Sequence, residues 1–70
     1  MTAKELGEII KRTRRSKKYS QLLLAGLSDK PRSTIERIEN QTECVSISNL
    51  LLILDKLDLE LKIVNSKSDT

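Results

Sequence analysis

Apolar side chains recur at helical spacing along the first part of the chain. Thr2 and Glu5 have the spacing of a capping box, in which a hydroxyl and a carboxylate each accept an otherwise unpaired backbone N–H at the start of a helix. The apolar stripe that follows comprises Leu6, Ile9, Ile10 and Thr13. The pattern predicts a first helix with one buried face.

Two short helices are predicted next, with a tight turn between them. Ser20 suits the N-cap of the second helix, and Tyr19 before it can pack against Leu24 as a hydrophobic staple. Pro31 suits the start of the third helix, because the N–H that proline lacks needs no partner there. The third helix is expected to run to about Asn40.

A fourth helix is predicted to begin near Ser46. Its expected inner stripe consists of Ile47, Leu50, Leu51, Leu54 and Leu57. The run 50–54 is apolar on all sides, which indicates burial on more than one side. Leu52 lies outside the stripe and is expected to contribute to a dimer or partner surface.

The hydrophobic period changes after the fourth helix, because residues 59–64 alternate as a strand does. The side chains on one face are Leu59, Leu61 and Ile63. A lone strand leaves backbone groups unpaired, and the simplest partner is the same strand of a second copy, paired antiparallel across a two-fold axis. The alternative is that 59–64 extends the fourth helix. Asp58 and the β-branched residues Ile63 and Val64 argue against it.

The composition narrows the class of function. Seventy residues make one domain, which we expect to span 1–64, followed by a flexible tail at 65–70. With one cysteine, Cys44, and no histidine, the chain has no intramolecular disulfide, and neither a zinc site nor Ser–His or Cys–His catalysis is expected. We therefore expect no enzyme activity, no metal and no cofactor. The lack of a long apolar run predicts a cytoplasmic protein with no membrane association.

Charge is unevenly distributed along the chain. Residues 1–20 carry seven Lys or Arg and two Asp or Glu, whereas residues 41–60 carry one Lys and four Asp or Glu. A basic front and an acidic back suggest a protein that binds a polyanion in one orientation. The alternative is an ordinary solvated helix surface.

The third helix has two distinct sides. At 100° per residue, Ile35 and Ile38 fall within about 60° of each other, on the side that can pack inward. The opposite arc carries Arg32, Ser33, Glu36, Arg37 and Asn40. Arginine can donate two hydrogen bonds to a guanine edge, and serine can pair with several bases. A short helix, a tight turn and a second helix with an outward polar arc describe a helix-turn-helix.

The segments "SQLLLAGLSDKPRSTIERIENQ" and "SISNLLLILDKLDLELKIV" resemble the Xre/Cro, lambda-repressor-like DNA-binding family, with a match over about residues 6–64. The resemblance implies a mainly α, four-helix domain that binds double-stranded DNA at a palindromic operator as a homodimer. The final helix followed directly by a strand is similar to the HipB-type antitoxins, the DNA-binding partners of HipA-like serine/threonine kinase toxins. This implies an antitoxin that autoregulates its operon. The alternative is a stand-alone or phage-type regulator without a toxin partner.

The resemblance also implies roles for individual residues. The residues implied to read base edges are Arg32, Ser33 and Arg37. Those implied to contact or support the DNA backbone are Gln21, Thr34, Asn40, Arg14, Lys17, Lys18 and Lys30. Arg14 and Glu39 match an ion pair that locks the first helix to the third. The dimer is expected to involve Leu52, Leu59, Leu61 and Ile63.

The sequence departs from the family pattern at three notable positions. Asp29 replaces the usual turn glycine, and aspartate tolerates the left-handed region less well than glycine. Pro31 replaces a capping Ser or Thr, so the third helix is expected to lack a side-chain cap. Leu22 replaces a charged residue and should be exposed, either as an isolated surface leucine or as part of a protein contact.

Overall fold

Four α-helices form within residues 1–63, which are the residues that the computed structural model describes. They are α1 (Ala3–Ser16), α2 (Gln21–Ser28), α3 (Arg32–Asn40) and α4 (Ile47–Lys56), and a 3₁₀ turn, Thr42–Cys44, joins α3 to α4. The mainly α fold class and the four predicted helices are confirmed. Val64 and the predicted tail at 65–70 lie outside the described residues.

Side-chain caps fix where three of these helices begin. The Thr2 hydroxyl accepts from the Glu5 N–H at 3.1 Å, and the Glu5 carboxylate accepts from the Thr2 N–H at 2.7 Å, so the predicted capping box is present. The Thr2 N–H donated to this carboxylate lowers the pKa of Glu5 below its ordinary value of 4.5. Ser20 and Ser46 cap α2 and α4, whereas Pro31 gives α3 no side-chain cap, as expected.

The ends of α1, α2 and α4 share one backbone geometry. In each, a residue other than glycine lies in the left-handed region: Lys18 at φ 62°, Asp29 at φ 55° and Asp58 at φ 59°. The N–H of the following residue then returns to a carbonyl five residues earlier, as in a Schellman motif. The turn expected at Asp29 is present, whereas the same geometry at Lys18 and Asp58 is not among the features predicted from the sequence.

The core surrounds the inner side of α3. Its fully buried side chains are Ile10, Leu24, Ile35, Ile38, Ile53 and Leu57. Residues of α1 and α2 both contact α3, and α4 packs against α2. Because α3 is held on two sides by other helices, its outward arc has a fixed orientation relative to the rest of the domain.

The predicted inner stripe of α4 is partly wrong. Leu50, Leu54 and Leu57 are buried as expected, together with Ile53, which the predicted stripe omits. Ile47 and Leu51 are 62% and 47% exposed, and Leu52 is half-buried. The run 50–54 is apolar on all sides, so its periodicity does not define which side faces the core.

The helix extension proposed as an alternative for 59–64 is wrong over the described residues. The helix ends at Lys56, and Asp58 in the left-handed region turns the chain away from the helix axis. Leu59 packs against the core, whereas Leu61 and Ile63 are 42% and 94% exposed. Residues 59–63 form no strand in this single chain. The strand across a dimer stays a prediction, since a strand requires a partner.

Candidate nucleic-acid interface

The two sides of α3 separate as the sequence predicts. Ile35 and Ile38 are completely buried, and Arg32, Ser33 and Arg37 are exposed on the opposite arc. Asn40 is exposed, and Thr34 is half-buried at the edge of the arc. The three residues expected to read base edges therefore lie on one accessible surface, which a DNA groove could approach.

A buried ion pair holds α3 to α1. Arg14 donates through Nε to Glu39 Oε2 and through Nη2 to Glu39 Oε1, the second bond measuring 3.1 Å. The remaining Nη1 donates to the carbonyl of Tyr19 at 2.8 Å. The Arg14 and Glu39 side chains are 8% and 0% exposed. Such a pair resists separation, because removing one partner would leave the other charge buried without compensation.

Two further hydrogen bonds connect this ion pair to the outward arc. Gln21, the first residue of α2, donates from Nε2 to Glu39 Oε1 at 3.2 Å. Its carbonyl Oε1 accepts from Arg32 Nε at 3.3 Å. These contacts link α1 through α3 and α2 to Arg32. Arg32 is the first residue of the outward arc of α3, the recognition arc (Arg32, Ser33, Glu36, Arg37 and Asn40). Arg32 thus contacts Gln21 through Nε, while its side chain is 58% exposed.

A cationic groove lies beside these contacts, between α1 and the start of α2. It has a volume of about 490 Å³ and is lined by Lys11, Arg14, Arg15, Ser20, Gln21, Leu22 and Arg32. Neither Lys11 nor Arg15 is among the residues predicted from sequence to contact DNA. Their i, i+4 spacing on α1, which places them on the same helix face as neighbours, is the signal that could have identified them.

A second groove lies between α3 and the start of α4. Its lining comprises Ser33, Thr34, Arg37, Cys44, Val45, Ser46 and Asn49. Thus Ser33 and Arg37 share a groove with the N-terminal turn of α4, where free N–H groups favour negative charge. Ser46 and Asn49 were also missed as candidate contacts, and the predicted start of the fourth helix near Ser46 was the available signal.

The three lysines predicted to contact the DNA backbone do not lie in the grooves beside α3. Lys17 donates to Asp58 at 3.0 Å, and this hydrogen bond raises the pKa of Lys17 above its ordinary value of 10.5. Lys18 is exposed at the end of α1, and Lys30 is half-buried after α2. None of these three lines the described grooves beside α3.

The described residues form neither a metal site nor a membrane-spanning helix. Within residues 1–63, no cluster of His, Cys, Asp or Glu has the arrangement needed to hold a metal ion. None of the described helices is long and apolar enough to cross a bilayer.

Solved structures with this fold include several that contain HipB. A complex of a HipB variant with an O2 20mer has a TM-score of 0.88 at 22% identity, covering 96% of this chain and 93% of that chain. A complex of HipA, HipB and O2-O3 has a TM-score of 0.88 at 22% identity, covering 96% and 94%. HipB bound to an O4 20mer gives a TM-score of 0.87 at 22% identity, with the same coverage of 96% and 94%. At this identity the similarity shows the fold alone.

No curated protein sequence matches this chain. The sequence does match the helix-turn-helix family model over residues 10–64, which is most of its length. The matched segment contains α2, the turn at Asp29 and α3 with its exposed arc. The chain belongs to the helix-turn-helix family, in which the second helix of the motif enters the DNA major groove.

Proposed function

We propose that this protein is a sequence-specific repressor that binds a palindromic operator as a homodimer and serves as the antitoxin of a HipA-like kinase in the same operon. One observation carries the DNA-binding part: the exposed arc of α3 is fixed by the buried Arg14–Glu39 pair and by Gln21. A helix whose position is fixed before binding loses less conformational freedom when it binds DNA, which favours affinity.

The geometry supports separate roles for base-reading and phosphate-contacting residues. Arg32 and Arg37 each carry a guanidinium that can donate two hydrogen bonds to guanine, and Ser33 lies between them on the arc. Other residues contact phosphates and so position the protein. They are Gln21, Thr34 and Asn40, which flank the base-reading residues, and Lys11 and Arg15 of the cationic groove. Phosphate contacts set the register of the protein, and the arc reads the sequence.

Dimerisation is supported by the apolar surface that a single chain leaves open. Leu61 and Ile63 extend beyond α4 into solvent, and Ile47 and Leu51 are exposed on α4 itself. An antiparallel ribbon built from residues 59–64 of two copies would pair the backbone of this segment and cover its apolar face. Leu52 and Leu59 would then lie close to the interface.

The antitoxin role draws on the shared fold and on the charge layout. Structures of HipB in complex with HipA and DNA share the fold over 96% of this chain. Between α3 and residue 63, the exposed acidic side chains are Glu43, Asp55, Asp58 and Glu60, of which Asp58 is paired with Lys17. Phosphate repels such side chains, so they favour a surface that faces away from the DNA and stays available to a partner protein.

Three measurements test the proposal. Fluorescence anisotropy with duplexes from the DNA upstream of this gene should give tight, saturable binding at one site, with far weaker binding to a shuffled duplex. Co-purification from the native operon should recover the product of the neighbouring kinase-like gene. In a mobility shift, that product should add to the protein–operator complex. Specific DNA binding without any captured kinase would instead indicate a stand-alone regulator, and equal binding to both duplexes would refute a repressor.

A further inference from the structure

The recognition arc contains one carboxylate, Glu36, to which neither the family resemblance nor the proposed function assigns a role. Glu36 shares a shallow cleft on the exposed side of α3 with Ser33, Arg37, Asn40 and Gln41. Its side chain is 50% exposed. A carboxylate on a surface that approaches DNA is repelled by the phosphates, so Glu36 opposes sequence-independent binding at this position.

Glu36 also contacts the first residue of the arc. Its Oε2 lies 3.6 Å from Arg32 Nη2, one helical turn away, while Arg32 Nε donates to Gln21 Oε1 at 3.3 Å. The Arg32 guanidinium therefore lies between an amide on one side and a carboxylate on the other. Arg32 precedes Glu36 in sequence, which is the less favourable order for an i, i+4 pair, and both side chains are half open to water. The pair thus adds little to stability, and its main consequence is the charge and geometry of the arc.

A carboxylate has few favourable partners in the major groove. It only accepts hydrogen bonds, and the amino group at N4 of cytosine offers a donor there. Guanine presents only acceptors along the same edge, and thymine presents an acceptor and a methyl group. Adenine has a donor at N6 but also an acceptor at N7 that repels a carboxylate, so cytosine is the most favourable neighbour for Glu36. One carboxylate among the base-reading residues can therefore discriminate strongly between base pairs.

We propose that Glu36 is a specificity-determining residue: it accepts a hydrogen bond from a cytosine N4 amino group in each half-site and, through Arg32, sets the direction from which that arginine meets a neighbouring guanine. This inference rests on the proposed DNA-binding function and deepens it. It identifies the ligand of Glu36 by chemistry, a base that donates from its major-groove edge. Glu36 thereby favours one base sequence and weakens the binding of other DNA sequences.

Selection from a randomised duplex library tests this proposal, because it identifies the preferred sequence directly and requires no known operator. The proteins to compare are the wild type, Glu36→Gln, and Asp55→Asn, which removes one exposed negative charge from α4 as a matched control. The wild type and the control should enrich the same motif. Glu36→Gln should lose the preference for cytosine at one position per half-site by about tenfold and keep the rest of the motif. It should also bind non-specific duplexes more tightly than the control does.

The outcomes separate this inference from the proposed function. If the wild type enriches a motif that Glu36→Gln reproduces at every position, Glu36 does not determine specificity, and the repressor assignment stands. If Glu36→Gln tightens binding to all duplexes equally, Glu36 acts through general charge repulsion and reads no base, which also overturns the inference. If the wild type enriches no motif, both the inference and sequence-specific repression are refuted.

Discussion

Gly7 of α1 lies directly against Thr42 of the 3₁₀ turn, with no room for a side chain between them. A Cβ on Gly7 would meet Thr42 Oγ1 and would lie 2.6 Å from the Glu39 carbonyl oxygen. The Thr42 hydroxyl is itself committed, because it donates to the Ile38 carbonyl at 2.6 Å. This close approach lets α1 pack against the C-terminal end of α3. It also positions Arg14, which lies two helical turns after Gly7, against Glu39.

Gly7→Ala should therefore destabilise the domain by about 2 kcal/mol, because the added methyl group forces α1 away from backbone that cannot move easily. Gly26→Ala is the matched control, since a Cβ at Gly26 meets nothing within 4 Å in the described part of the chain. The control should stabilise the domain by about 0.5–1 kcal/mol through improved helix propensity. Urea unfolding followed by circular dichroism measures both, and a neutral Gly7→Ala would contradict the close approach.

The Arg14–Glu39 pair should be essential to the fold. Arg14→Ala should lower the free energy of unfolding by about 3–5 kcal/mol, because it leaves the buried Glu39 carboxylate without its main partner. Arg14→Lys should restore only part of the loss, since an ammonium cannot donate to both carboxylate oxygens in the same fork. Arg12→Ala, an exposed arginine of the same helix, is the control and should change stability little. Equal effects of Arg12→Ala and Arg14→Ala in denaturant titrations would refute a structural role for the pair.

Local signals make the helices and their starts predictable from sequence. The Thr2–Glu5 capping box and the caps at Ser20 and Ser46 involve residues three positions apart, so one stretch of sequence contains the whole interaction. The two-sided character of α3 follows from the placement of two isoleucines among polar residues. The separation of buried and exposed side chains in α3 is therefore visible in the sequence alone.

Features that depend on contacts between distant segments are not predictable in this way. The cationic groove brings Lys11 and Arg15 of α1 beside Gln21 and Arg32, and only the packing of three helices creates it. In α4, the apolar run 50–54 carries no periodicity with which to choose an inner face. The inward placement of Leu51 is therefore wrong, and so is that of Ile47, one turn earlier on the same side. Charge alone suggests that Lys17 lies near phosphate, and its pairing with Asp58, far along the chain, has no sequence signal.

The left-handed residue at Asp29 predicts a stabilising substitution within the helix-turn-helix itself. Asp29→Gly should raise the free energy of unfolding by about 1 kcal/mol, because glycine adopts φ 55° without the steric cost that an L side chain incurs. Asp55→Gly, the same change inside α4, should give no comparable gain, because glycine is no better a helix former than aspartate. Thermal unfolding of the two variants compares them directly. A loss of stability in Asp29→Gly would mean that the aspartate carboxylate stabilises the turn.

Arg37 should behave as a base-reading residue. Arg37→Ala should weaken operator binding by about 1–3 kcal/mol and relax the preference at one base pair per half-site. Arg15→Ala, the comparison, removes an exposed arginine of the cationic groove and should weaken binding to all sequences alike and reduce the dependence of affinity on salt. Anisotropy titrations over a series of salt concentrations, with the operator and its single-base-pair variants, distinguish the two patterns. If Arg37→Ala follows the pattern expected of Arg15→Ala, then Arg37 contacts phosphate and reads no base.

The proposed dimer makes DNA binding depend on a segment that lies beyond the last helix. A two-fold dimer would place two α3 helices about 34 Å apart, one DNA turn, so that each enters one half of a palindrome. Leu61→Pro removes a backbone donor from the proposed ribbon without altering α1–α4, because residue 61 lies outside every helix. The variant should sediment as a monomer with an unchanged helical circular dichroism spectrum. Without the second α3 helix held in place, its operator affinity should fall by at least about a hundredfold.

Leu22→Ala is the control for this prediction, because Leu22 is 70% exposed on α2 and is not part of the proposed ribbon. It should remain dimeric. A Leu61→Pro variant that still sediments as a dimer would exclude the ribbon from the interface. It would favour an interface formed by Ile47 and Leu51, which are exposed apolar residues of α4. A monomeric Leu22→Ala would instead place the interface on α2. In that geometry the apolar surface beside the recognition motif would join the two copies, and Leu61 and Ile63 would be left for a different partner.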